Sequence, residues 1–303
     1  MKTTKYYIAA ITAYTIWGFF SLVLKPIHEY ASLDILFFRV FSCSILMLLI
    51  VFAFKRKKVQ ETIKNFRALS ASGKRKTIFL NIGGSFFLMS NWFTFIYVMN
   101  HVSVKATSLA YLVCPILTTL LAYFILHEKL KKTQWLAVGL SISGCLLLSY
   151  ADIMDMFFSI IIGLTYASYL VSQRVNKGFD TFIVLTFHIT LAALFLLPFY
   201  PVYSGSVPTE FTFYFCIEMI AVFFTIIPLF LNLYALSGIN SSTVGMLLNI
   251  NPMIAFILAN VVYKEKISPL QILAYSIIFM AVLVFNSHHL FAMRQKRILS
   301  AKN

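Results

Sequence analysis

Ten runs of apolar residues, each near the length that crosses a bilayer, follow one another through the 303-residue chain. They cover 6–24, 33–54, 77–100, 106–127, 133–150, 154–175, 181–200, 212–237, 242–263 and 268–289. A helix rises about 1.5 Å per residue, so about 20 apolar residues cross the hydrocarbon core. Lipid offers no water to backbone N–H and C=O groups, so runs of this length must satisfy those groups internally, as helices. Composition supports this reading: 60% of the residues are hydrophobic and only 12% are charged, about half the charge of a soluble domain. A soluble enzyme, a disordered chain and a secreted disulfide scaffold are thereby excluded. The expected fold is an all-α polytopic membrane protein with ten transmembrane helices.

The net charge of +15 would suggest nucleic acid in a soluble protein. Here it marks the loops held on the cytoplasmic side. The long connection 55–76, KRKKVQETIKNFRALSASGKRK, carries nine basic residues against Glu61. It reads as a solvated, partly helical surface segment, and no nucleic-acid partner is expected. With the N-terminus inside, 20 of the 25 basic residues fall in cytoplasmic segments, four (Lys25, Lys105, Lys264, Lys266) outside, and Arg39 within a span. Both termini are therefore expected in the cytoplasm. The first run is followed by Lys25-Pro26 rather than a small-residue cleavage site, so it reads as an uncleaved span. Cys43, Cys114, Cys145 and Cys216 sit singly in apolar runs and read as inert buried side chains. Neither a metal nor a cofactor is expected.

The chain repeats itself. Residues 91–146 align without a gap on 228–283, pairing Phe93 with Phe230, Tyr97 with Tyr234, Pro115 with Pro252, Glu128 with Glu265, Lys129 with Lys266 and Gln134 with Gln271. Five helices per half force the halves to insert in opposite orientations. The expectation is two inverted five-helix repeats, 1–150 with the basic loop 55–76, and 151–303 with a basic C-terminal tail. Inverted repeats characterise alternating-access carriers, whose site lies between the halves near the midplane.

Pro115 and Pro252 fall near the middle of their spans, and Pro228 lies within span eight. Each removes a helical hydrogen bond and frees a carbonyl four residues earlier, those of Tyr111, Leu248 and Phe224. They read either as packing kinks or as hinges that shape a site. Asn91 and Trp92 on span three, and Asn249 and Asn251 beside Pro252, place amides and an aromatic at the same depth. Tyr14 and Trp17 on span one, and Tyr166 and Tyr169 on span six, are three residues apart and share a helix face. With Tyr111, these residues are candidates to line a substrate cavity, with helix glue or interfacial anchoring as the alternative. His188 reads as a packing histidine. Arg39 and Glu218 lie at equal depth in spans two and eight; they read either as charges that snorkel independently to headgroups and water or, with Lys25, as a candidate outer gate. Ala137, Ser141, Cys145 and Ser149 make a small-residue stripe on span five that suits a close helix neighbour, either span ten or a second copy in a homodimer.

No HExxH, GxSxG or Walker A pattern is present, so no catalytic residue is assigned. An integral membrane enzyme is left as the lesser alternative. The order of motifs is informative: YTIWG in span one, FFRVFS around Arg39, NWFTFIYVMN in span three, SLAYLVCP then HEKL and QWLAV, TIIPLFL in span eight, and STVGMLLNINP then YKEK. This order resembles the EamA branch of the drug/metabolite transporter superfamily, particularly RarD-type permeases. The resemblance implies a ten-helix carrier of the bacterial inner membrane that exports or exchanges small metabolites or drugs. It also implies roles for Trp17, Lys25, Arg39, Asn91, Trp92, Tyr111, Pro115 and Pro252. The chain departs from the family pattern at Ala110, Cys114, Leu248 and Asn249, beside the expected cavity, so no substrate is carried over. The expected partners are a small amphipathic solute and membrane lipid, and import of an environmental or host metabolite is the rival direction.

Overall fold

A computed structural model describes residues 3–102, 104–149, 153–264 and 268–300, with backbone alone at 100, 104, 105, 149 and 288–300. The described residues are helical and contain no strand. The helices are α1 (Thr4–Gly18), α2 (Phe20–Leu24), α3 (Ser32–Phe54), α4 (Arg56–Ala68), α5 (Ala71–His101), α6 (Val104–Leu126), α7 (Lys132–Ser149) and α8 (Ile153–Val175). They continue with α9 (Thr181–Leu196), α10 (Tyr200–Tyr203), α11 (Phe211–Ala221), α12 (Ile227–Gly238), α13 (Ser241–Leu247), α14 (Ile250–Val261) and α15 (Pro269–Ser300). Among the described residues nine helical stretches are long and apolar enough to cross a membrane. The fifth of the ten runs differs: Lys132–Leu148 is a shorter apolar helix. It begins at Lys132, one residue before the apolar run, after a turn in which His127 has φ 53°.

The basic connection forms the exposed helix α4, where Lys58 and Glu61 make the one ion pair among the described residues, at 2.7 Å. That carboxylate raises the Lys58 pKa above its usual range, first by hydrogen bonding and then by charge. Helix α5 starts earlier than the apolar run. Ser70 caps it by accepting a hydrogen bond from Gly73 N at 3.2 Å, so Lys74, Arg75 and Lys76 form its first turns.

The principal packings join residues before 150 to residues after it. Helix α6 packs on α8 and α13, α7 on α15, α5 on α8 and α9, α1 on α12 and α14, and α3 on α9 and α11. The two halves thus share their core rather than forming two separate ones. Local geometry also recurs between them. Helices α6 and α13 begin 137 residues apart, as do α7 and α15. His127 and Lys264, equally spaced, have φ of 53° and 54°. Gln134 Oε1 accepts from Lys131 N at 3.0 Å, and Gln271 Oε1 accepts from Ser268 N at 2.9 Å. Glu128 accepts from Ser241 N at 2.8 Å and Ser242 N at 3.1 Å, placing a carboxylate at the positive end of α13. Its aligned partner Glu265, with Lys266, lies outside the described residues.

The small-residue stripe of α7 meets α15. Ala137 and Cys145 share an apolar cluster with Ile278, Ala281 and Phe285, and Ser141 is buried. A Cβ on Gly144 would come 2.6 Å from Ile278 Cγ1, so this crossing depends on the missing side chain. The stripe is occupied within the chain and supplies no argument for a homodimer. The side chain of Ser149 lies outside the description.

The three prolines behave differently. Helix α6 runs unbroken through Pro115. Pro252 follows a real break, the turn at Leu248–Asn249 between α13 and α14. The difference has a local cause. Asn249 Nδ2 donates to Met246 O at 3.2 Å and competes with the helix for its carbonyl. The aligned position in α6 is the apolar Leu112, which cannot compete. Pro228 opens α12 directly after a π-helical turn, Val222–Ile226.

Candidate functional site

A cavity of about 240 Å³ lies inside the bundle. Its walls follow helical spacing. Trp17, Phe20, Ser21 and Leu24 face it from α1 and α2, and Ser32, Ile35, Leu36 and Arg39 from α3, each set at i, i+3, i+4, i+7. Helix α5 contributes Asn91, Trp92, Phe95, Ile96 and Met99, and α6 contributes Tyr111. From the second half come Tyr166 on α8, Phe224 and Thr225 on the π-helical turn, Leu229 on α12 and Asn251 on α14. The cavity reaches from mid-span residues such as Trp17 and Asn251 to Leu24, Ser32 and Met99 at the helix ends around connection 25–31.

Six of the nine cavity candidates therefore line it: Trp17, Asn91, Trp92, Tyr111, Tyr166 and Asn251. The π-helical turn and Trp17 explain each other. Pro228 leaves the Phe224 carbonyl without its helical donor, and Trp17 Nε1 donates to that carbonyl at 2.7 Å. Asn91 Nδ2 donates to Ile162 O at 2.9 Å and to Thr165 Oγ1 at 3.2 Å, fixing α5 against α8. The Tyr111 ring packs on that of Phe95, centroids 5.4 Å apart and planes tilted by 50°.

Tyr14, Tyr169 and Asn249 lie behind the wall and are fully buried. Tyr14 OH donates to Asn232 Oδ1 at 3.2 Å, and Asn232 Nδ2 donates to Tyr166 OH at 2.6 Å. The Tyr166 and Tyr169 rings are 5.9 Å apart. Tyr169 OH is 3.4 Å from His188 Nδ1, whose Nε2 is 3.2 Å from Asn81 Oδ1. Asn81 accepts from Asn176 Nδ2 at 3.0 Å. A buried polar tract thus continues from the cavity floor toward the end of the bundle that carries α4. His188 is a member of this tract with both ring nitrogens engaged. Sequence reading missed Asn232 and Asn81, although each is an isolated amide within an apolar run.

The gate candidates do not assemble. Arg39 turns into the cavity, its guanidinium carbon 5.1 Å from the centre of the Trp92 ring. Glu218 is exposed and accepts from Ser42 Oγ. The two charges make no ion pair within 4 Å; Glu218 takes instead the hydroxyl of Ser42, one turn along α3 from Arg39. Lys25 is also apart, on the 3₁₀ turn Lys25–Ile27, with Nζ 4.9 Å from the Tyr263 ring. Two further acids lie within the spans. Asp34 and Asp155 are buried in the first turns of α3 and α8, and Asp34 accepts from Gly205 N at 3.0 Å. Among the described residues no group of His, Cys, Asp and Glu could hold a metal ion.

Comparison with known proteins extends this picture. The EamA-like transporter family model matches residues 4–150 and again 153–287. The uncharacterized transporter YojE of Bacillus subtilis is 26% identical over 290 residues, covering 94% of each chain. Protein RarD of Salmonella typhi is 25% identical over 305 residues, covering 97% of this chain and 99% of that one. A solved crystal structure superposes with a TM-score of 0.72 at 14% identity, covering 93% of this chain and 97% of the other, so the fold is shared. By the double match over nearly its whole length, the chain belongs to the EamA-like transporter family, with RarD proteins among its relatives.

Proposed function

We propose that the chain is a bacterial inner-membrane permease that moves a small amphipathic solute through this cavity by alternating access, as an exporter or exchanger. In this reading 1–150 and 151–303 are inverted five-helix repeats, the helix Lys132–Leu148 completes a set of ten spans, and both termini are cytoplasmic. The observation that carries it is the position of the cavity. It is built by helices of both halves, reaches one end of the bundle, and stops at the Tyr14–Asn232–Tyr166 layer. Positive charge concentrated on α4 and the first turns of α5 supports a cytoplasmic placement for the closed end. The recurrence of turns and caps at one spacing supports the repeat. Transporter relatives and the absence of paired carboxylates in the cavity wall favour a carrier over an enzyme. Import down an opposite gradient uses the same path, and direction then depends on the solute gradient.

Purified protein in proteoliposomes, given a panel of labelled solutes, tests this. Saturable uptake is expected, stimulated by unlabelled solute on the opposite side. Turnover of a lipid or peptide without movement of any solute would instead identify an enzyme.

A further inference from the structure

We infer that the solute is an organic monoanion, a carboxylate on an aromatic or branched apolar body, held by Arg39. The inference rests on the permease reading and names its substrate class. Among the described residues Arg39 is the single formal charge in the wall of the cavity, and no Asp or Glu lines it. The guanidinium makes no ion pair within 4 Å and no hydrogen bond among the described residues. Its Nε is buried without a partner. Trp92 lies 5.1 Å away and attracts the cation through its ring face, but a ring cannot satisfy five N–H donors arranged as a fork. A carboxylate can, by two parallel hydrogen bonds, and such charge-assisted bonds are the strong ones. Ser21 Oγ, in the same wall, is a second buried polar atom without a partner.

Other classes fit less well. A cation would face Arg39 with no carboxylate to offset the repulsion. A phosphate dianion would leave one of its charges unmatched, because no second cation among the described residues lines the cavity. The remainder of the wall decides the body of the solute. Trp17, Phe20, Phe95, Tyr111, Tyr166 and Phe224 supply ring faces, which suit an apolar body and give area rather than charge.

The test uses intact protein in proteoliposomes with three probes of one shape: phenylacetate, phenylacetamide and 2-phenylethylamine. A set of branched aliphatic carboxylates runs in parallel. Uptake of at least one carboxylate is expected, more than tenfold faster than its amide or amine. Net uptake into vesicles that hold no solute should accelerate under an inside-positive potassium diffusion potential, since an entering monoanion carries charge. Arg39→Gln should abolish the preference for the acid over the amide, and Arg39→Lys should keep part of it. The wild-type panel decides the question even where a variant fails to fold. Uptake of the amide or amine at or above the rate of the acid overturns the monoanion inference and leaves the permease reading standing. Movement of no probe of any charge, nor of any solute in the wider panel, overturns both.

Discussion

Trp17 shows how one side chain can tie the first half of the chain to the second. Its indole N–H meets the Phe224 carbonyl across the cavity wall, and that carbonyl is free because of Pro228. Trp17→Phe keeps most of the ring but removes the donor, leaving a half-buried acceptor unpaired. A loss of about 1–3 kcal/mol is expected, read as a lower thermal unfolding temperature in detergent. Unchanged stability would mean that the carbonyl finds another donor. The pairing could not be read from sequence. The proline announces a freed carbonyl, but which of the aromatic N–H and O–H donors reaches it depends on how α1 crosses α12. Arg39 carries the same lesson with the opposite sign. Its equal depth with Glu218 suggests a pair, yet depth fixes only one coordinate, and the helix face decides. Set against Ser32, Ile35 and Leu36 at helical spacing, Arg39 belongs to the wall that faces the cavity.

At the scale of the element, the spans were legible because their length and apolar content leave helix as the single solution in lipid. Ends were legible less often. The start of α5 at Ala71 depends on the Ser70 cap, a signal present in the sequence but hidden within a basic run. The break between α13 and α14 is subtler. Both aligned spans carry a central proline, and only the one preceded by Asn249 is interrupted. A proline hinge alone would have made the two alike. Asn249 is fully buried, and its Oδ1 has no partner, so the break holds an unsatisfied group. Asn249→Leu, which supplies the residue found at position 112, removes both the orphaned oxygen and the competing amide. A more stable protein is expected, by about 1 kcal/mol, with slower solute movement because the turn beside Asn251 stiffens. Thermal unfolding and uptake measured on the same preparation check this. A variant that is less stable, or that transports at the wild-type rate, would argue that the break is set by the proline after all.

At the scale of the whole molecule, the arrangement is asymmetric across the bundle while its sequence is repeated. One side of the midplane holds an open cavity ending at Leu24, Ser32 and Met99. The other holds the packed tract from Tyr166 through His188 and Asn81 to Asn176. Burying polar side chains in a membrane protein is costly unless they are bonded to one another; here Tyr169, His188, Asn81 and Asn176 form one hydrogen-bonded group that meets the Tyr14–Asn232–Tyr166 group by a ring contact. In the alternating-access reading the tract is the second half of the path in its closed state, and the polar groups that bond to each other now would face water when it opens. Two single-cysteine reporters separate this from a purely structural network: Met99→Cys at the cavity mouth, and Ser172→Cys, whose native hydroxyl accepts from Gln173 Nε2 at 3.2 Å beside the tract. The native cysteines are buried, which keeps background labelling low. A membrane-impermeant maleimide should modify Met99→Cys from the outer face, and Ser172→Cys from the inner face. A solute gradient that favours one state should raise one labelling rate and lower the other in the same sample. Simultaneous labelling of both at rates that ignore the gradient would describe a continuous channel. Protection of Ser172→Cys under every condition would leave the tract as helix glue.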